Sequence, residues 1–295
     1  MDLTKGGFAP FLLRPFASFF ARMHDLHLYF KIAEGMRQTP LQRRKDDIVI
    51  TNKIINVFST PFESWSYRKA TQQEMMEHYK EMGFFSSEIK DRLERRIGSA
   101  FEAADHMIRE RVDNALESFI DCALANDVAF NALRHQMPSP TPAALDHYQS
   151  SYPHYDRVAV DQAINQFGVF LADGQYLIHG GRWFSDGDSF TTDRPLSTTF
   201  CPQIALRSAE WRGKAYDANR VELMVIRVTQ PRTKAYLFGP EGELKHEKEA
   251  VFASGAHLKR LRENFIMDLK VYKVTNGLNT VERVVPAFVT EVELS

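Results

Sequence analysis

Between residues 71 and 133, apolar residues recur every three or four positions: Ile89, Leu93, Ile97 and Phe101, then Met107, Ile108, Val112, Leu116, Phe119 and Ile120. Charged residues fill the positions between them, which predicts a helical region with one apolar face. Ser86, Ser87 and Glu88 read as a helix start inside it. The stretch 135–155, HQMPSPTPAALDHYQSSYPHY, holds four of the thirteen prolines and reads as a linker or long ordered loop. A short helix over DRVAVDQAINQFGVFL follows. Beyond about residue 174 the pattern changes to short β-branched and aromatic runs: QYLIHG, RVELMVIRV, TKAYLFG, EAVFAS, NFIMDLKVYKV and ERVVPAFVTEVEL. Glycine, proline or Asn276-Gly277, a good turn, separates them. Helices in one half and strands in the other predict an α+β chain and not a parallel βαβ sheet.

The first thirty residues are rich in phenylalanine, but Arg14, Pro15, Arg22 and Asp25 interrupt them. They fall short of the roughly 18 continuous apolar residues of a spanning helix, and lack the ordered parts of a signal peptide. An arm packing its aromatic face on the protein's own core is expected, in preference to one touching a membrane or partner. With 295 residues the chain is long enough for one large or two modest domains, and 44% apolar and 25% charged residues are ordinary for a globular protein. A formal charge of −1 gives no case for nucleic acid or an acidic membrane as partner. Cys122 and Cys201 are too few and too far apart for a disulfide framework or a cysteine zinc site, and suit a reducing compartment.

Several chemistries drop out at once. There is no Walker loop, no GxGxxG and no kinase signature. HEKEA begins like a zincin helix, but Ala250 stands where the second histidine is needed. HGG at 179–181 and GDS at 187–189 look like pieces of a serine hydrolase, yet GxSxG is absent and no acid-histidine pair follows. What remains is Glu247 and Glu249 in GELKHEKEAVFASG, residues 242–255. On a strand, side chains two apart share a face. A solvated turn or strand edge gives the same pattern as a pair of working carboxylates.

Three blocks occur in a particular order: QYLIHGGRW, then DRPLSTTFCP at 193–202, then KHEKEAVFASG. That order resembles the mono-ADP-ribosyltransferases of the Arg-Ser-Glu class, toxin-like enzymes that split NAD and transfer ADP-ribose to a protein. The resemblance covers roughly residues 155–295. It implies a split β-sheet catalytic domain at 151–295, preceded by a helical region, 1–150, for target recognition or for bracing the sheet. It implies NAD as co-substrate, Glu249 at the donor ribose, Glu247 facing the acceptor, and Ser197 buttressing the catalytic carboxylate. Breaking the nicotinamide–ribose bond develops positive charge on the sugar, which a fixed carboxylate stabilises.

The first block departs from the pattern. Where the family carries arginine, this sequence has His179-Gly180, with Arg182 three residues on; His179 with Gly180 ranks ahead of Arg182. These, with Thr198, Thr199 and Phe200, are the expected NAD-binding residues, Thr198 and Thr199 also supporting the local backbone. Phe200 reads equally as a ring for nicotinamide or as core. Arg194 and Arg207 are candidates for the diphosphate, and 236–245 for a mobile loop. In the family that the chain resembles, Glu-x-Glu usually accompanies arginine acceptors, so the resemblance implies a protein arginine first and a hydroxyl residue as the other option. No metal, nucleic acid or membrane span is expected. The expected setting is a monomeric bacterial effector acting in the host cytosol. An NAD glycohydrolase, or an interaction protein on the same scaffold, are the alternatives.

Overall fold

The strand β6 (Val221–Val228) is apolar without alternation because both its faces are covered; only Arg227 of its eight residues is exposed. The computed structural model describes residues 53–239, 248–275 and 279–295. Before β6 come β1 (Phe62–Lys69), α1 (Gln72–Met82), β2 (Glu88–Ile97), α2 (Ala100–Glu110), α3 (Asn114–Asn126), α4 (Val128–Arg134), α5 (Ala143–Ser151), α6 (Arg157–Phe167), β3 (Tyr176–Gly180), β4 (Ser189–Thr191), β5 (Leu196–Thr199), α7 (Pro202–Glu210) and α8 (Lys214–Ala218). After it come β7 (Ala235–Leu237), β8 (Glu249–Phe252), β9 (His257–Val274) and β10 (Thr280–Leu294).

Eight strands join in the order β4-β9-β10-β6-β3-β5-β8-β7, and β1 with β2 forms a separate two-stranded ribbon. The pairing is antiparallel except for β6 with β10. Helix α7 lays Ala205, Leu206 and Ala209 on β3 and β6, and α2 adds Ala103, Ala104, Met107 and Ile108, all buried. Leu116 and Ile120 of α3, Leu145 of α5 and Ile164 of α6 belong to the same core as Leu177, Leu223 and Phe252 of the strands. The chain is thus α+β, with all described residues in one compact unit.

Three differences from the sequence pattern have physical causes. Residues 88–97, expected as helix, form β2, paired with β1. Ile89, Leu93 and Ile97 are spaced by four, which is also an even number, so they fit one face of a strand as well as one face of a helix. They pair with Arg68, Trp65 and Phe62. The helical pattern is real from Ser99, which caps α2 by accepting from the Glu102 N–H. Second, the proline-rich stretch is not all loop. Its prolines sit at or before the start of α5 (Pro142) and just after its end (Pro153), leaving nine proline-free residues that form a helix. Third, α7 and α8 lie in the half read as strands, α7 opening with Pro202 in its first turn.

The phenylalanine-rich start, Asn276-Gly277 and most of the 236–245 loop fall outside the described residues. No described helix is long and apolar enough to cross a membrane.

Candidate active site

The sheet opens between β3 and β5. Strand β3 pairs with β6 over five residues, but with β5 through one pair, Ile178 with Thr199. Beyond that pair the strands diverge, and the Ser197 carbonyl accepts a hydrogen bond from His179 Nδ1 at 2.6 Å instead of from a strand amide. The half-buried imidazole therefore bridges the two strands where their ladder ends. Burial pushes its pKa down to about 4, and the neighbouring cations Lys214 and Arg194 push the same way against the Ser197 carbonyl. His179 is neutral at physiological pH, with the proton on Nδ1 because a carbonyl can only accept. Gly181 backs the ring so closely that a Cβ there would lie 2.4 Å from His179 Nε2.

Strand β8 enters beside β5, with Thr199 opposite Glu249 and Ser197 opposite Val251. Ser197 and Glu249 are thus diagonal neighbours on one face of adjacent strands. Ser197 Oγ donates to Glu249 Oε1 at 2.5 Å, and Gln149 Nε2 of α5 donates to Glu249 Oε2 at 2.9 Å. Glu249 is 7% exposed. Burial pushes its carboxyl pKa up, and the two donors oppose that. Lys248, just before it, has φ +50°, in the left-handed region, and its Nζ pairs with Glu117 at 3.2 Å and Asp121 at 3.0 Å on α3. The chain turns into β8 directly after this anchored residue.

Aromatic rings and cations line the approach. Tyr148 is buried, its phenol held well above the usual range first by burial and then by the Glu249 charge. Its ring meets Tyr155 edge-on at 4.7 Å and Tyr152 at 6.1 Å, and Tyr152 lies 5.9 Å from Trp211. Lys214 sits over the Tyr152 and Trp211 rings at 5.6 and 5.1 Å, its pKa depressed by burial and then by Arg194. Arg194 lies over Phe184 at 5.1 Å. Among the described residues no carboxylate pairs with either cation.

The structure brings Glu249, Ser197 and His179 together. Gly180 adjoins them, but its Cβ direction is filled by α7: a Cβ would lie 1.7 Å from the Ala205 carbonyl oxygen. Thr198 Oγ1 donates to the Ala250 carbonyl at 2.6 Å, and Thr199 Oγ1 accepts from Cys201 N at 3.1 Å, so both buried threonines hold backbone. Phe200 is buried and meets Phe130 of α4 edge-on at 5.8 Å, as core. Arg182 is exposed, 5.5 Å from the Phe184 ring, and Arg207 reaches Glu117 at 3.8 Å. Glu247 lies outside the described residues.

Sequence reasoning missed Tyr148, Gln149, Tyr152, Tyr155, Trp211 and Lys214. The first four lie in the stretch read as a linker. Tyrosine at 148, 152 and 155, spaced by four and three around Pro153, is the signal that marks it as more than a connection.

No protein-family model matches the chain, and no curated protein matches it. Among solved structures, it is similar to the ADP-ribosyltransferase Vis of Vibrio splendidus, in complex with agmatine, at 13% identity and a TM-score of 0.38, over 63% of this chain and 86% of that one. It is similar to the enzymatic component C2-I of the Clostridium botulinum C2-toxin at 10% identity and TM-score 0.34, over 56% of this chain and 45% of that one. A third is the ADP-ribosylating toxin BECa of C. perfringens with NADH, at 11% identity and TM-score 0.28, over 66% of this chain and 46% of that one. The match thus spans less than half of C2-I and of BECa. At these low scores the chain is similar to bacterial ADP-ribosylating toxins, and the crevice itself, not the likeness, carries the chemical reading.

Proposed function

We propose that the chain is an NAD-dependent mono-ADP-ribosyltransferase that modifies a protein side chain. The observation that carries the reading is Glu249: a buried carboxylate held by two donors, in a crevice where two cations lack a described carboxylate partner. A buried carboxylate is costly unless hydrogen bonds hold it, as Ser197 and Gln149 hold Glu249, and perturbed groups in a cleft mark candidate working sites. Arg194 and Lys214, two cations near His179 without a described carboxylate partner, fit a diphosphate. The crevice beside His179 and Tyr148 fits a ribose with its flat base. NAD supplies a glycosidic bond to a good leaving group, whose rupture leaves positive charge on the ribose.

Each residue then has a defined task. Glu249 stabilises that charge from a fixed position and holds a ribose hydroxyl. Ser197 keeps the carboxylate aligned, and neutral His179, with Gly180, shapes the donor pocket without adding charge beside it. Glu247, two residues earlier, faces the acceptor and helps to orient or deprotonate it. A protein arginine is the first expectation for that acceptor and a hydroxyl residue the second. Residues 1–150 recognise the target, and Gln149 of α5 also reaches Glu249, while α3 holds the neighbouring Lys248. The biological setting that fits is a secreted bacterial effector acting on a host protein.

The test is incubation with NAD labelled on its adenylate half, in a eukaryotic cell lysate, comparing wild type with Glu249→Gln. Transferase activity predicts a labelled protein band that falls by roughly 10²–10⁴-fold in the variant. Nicotinamide release that needs Glu249, without a band under any lysate, would make the protein a glycohydrolase. Neither signal from folded protein would leave an interaction module.

A further inference from the structure

We propose that Gln149 is a positioning residue for the Glu249 carboxylate, so that helix α5, outside the sheet, is a working part of the active site; this rests on Glu249 being the catalytic carboxylate. The two oxygens of Glu249 are held from two separate elements. Oε1 accepts from Ser197 on β5, and Oε2 accepts from Gln149 on α5 at 2.9 Å. The terminal torsion of a glutamate is broad and nearly two-fold, so one donor leaves the carboxylate plane free to swing. A second donor on the opposite oxygen fixes the plane.

The helix is suited to the task. Leu145 is fully buried and Tyr148 is 4% exposed, packed against Tyr155 and Tyr152, so the segment carrying Gln149 is anchored on both sides. Glutamine is also the right donor. It hydrogen-bonds an ionised carboxylate without neutralising it, as lysine or arginine would, and its amide does not titrate. Only its NH₂ end can face an ionised carboxylate, which settles the orientation of the amide. Each carboxylate oxygen has two lone pairs, so Oε2 can keep Gln149 while accepting a ribose hydroxyl as well.

Gln149 also opposes the upward push of burial on the Glu249 pKa. Among the described residues, the titratable and charged groups around that carboxylate are Tyr148 on α5, His179 on β3 and Lys248 at the head of β8, with Lys214 and Arg194 farther out beside His179. Tyr148 and His179 are both neutral near pH 7, so neither brings a positive charge to Glu249, and the two donors are the contacts that oppose its upward shift.

The test compares wild type with Gln149→Met, which keeps the length and removes the donor. Two readouts are taken across pH: NAD cleavage, and the ¹³C carboxyl titration of Glu249 assigned with Glu249→Gln. The expected result is kcat reduced roughly tenfold, the loss greatest on the acid side of the Glu249 titration, with KM for NAD within about twofold. The carboxyl resonance titrates at higher pH in the variant. A raised KM with unchanged kcat, no change in kcat, or a carboxyl titration that does not move would each overturn the proposal. If wild type does not cleave NAD, the transferase reading fails by itself. The carboxyl titration then still decides whether Gln149 governs Glu249, an unshifted titration refuting it.

Discussion

Gly180→Ala separates two reasons for a glycine beside the crevice. The sequence suggests that glycine lets the backbone approach a ligand, whereas the structure packs α7 against it. An ideal Cβ at 180 would lie 1.7 Å from the Ala205 carbonyl oxygen, 2.6 Å from its carbon and 2.9 Å from Ala209 N. Real Cβ atoms essentially never approach closer than 3.0 Å, so α7 must retreat by about 1.3 Å, the difference from 1.7 Å. All three neighbours are backbone, so no side chain can rotate away to make room. Overpacking costs about 1–3 kcal/mol, and a site with no rotamer to yield belongs at the upper end. At roughly 2–4 °C per kcal/mol for a unit of this size, about 3 kcal/mol lowers Tm by about 6–12 °C. The assay is thermal unfolding by circular dichroism, with Gly98→Ala as control, because the nearest atom to a Cβ there is 3.8 Å away. The control should stay within about 2 °C of wild type. If Gly180→Ala kept its Tm and lost only NAD affinity, the packing argument would be wrong and the ligand role right.

Two further outcomes follow from the geometry of Glu249. Ser197→Ala removes a charge-assisted hydrogen bond worth about 1.5–3 kcal/mol, so kcat for NAD cleavage should fall by roughly 10–150-fold with KM little altered; unchanged kcat would deny Ser197 its role. The Glu249 carboxyl has a folded pKa above its ordinary 4.5, so the folded state binds its proton more tightly than the unfolded state does. Stability from this group is complete below about pH 4.5 and is lost as pH rises through the folded pKa. Glu249→Gln should therefore have a higher Tm than wild type at neutral pH and the same Tm in acid; a lower Tm at neutral pH would contradict the burial argument.

The α+β class, strands β3, β6 and β10, and helix α6 were legible in the sequence because each is governed by local period and turn chemistry. Ser197 and Glu249 were legible because the chain order of three blocks carries them, although 52 positions separate the pair. The β1–β2 ribbon was not, since a spacing of four suits helix and strand alike and only the pairing of Trp65 with Leu93 decides. Gln149 was not, because a glutamine in a proline-flanked stretch has no local mark of chemistry.

What the sequence by itself determined is therefore the set of elements whose hydrophobic period is unambiguous, and the two groups whose neighbours along the chain announce them. Tertiary structure alone decided that β3 and β5 part after one pair, that His179 fills the gap, that Gly180 belongs to α7, and that Gln149 meets Glu249 from 100 residues away. The physical reason is range. Period, caps and turns act over a few residues, whereas burial of a carboxylate and the donors that hold it depend on which distant surfaces the core brings into contact.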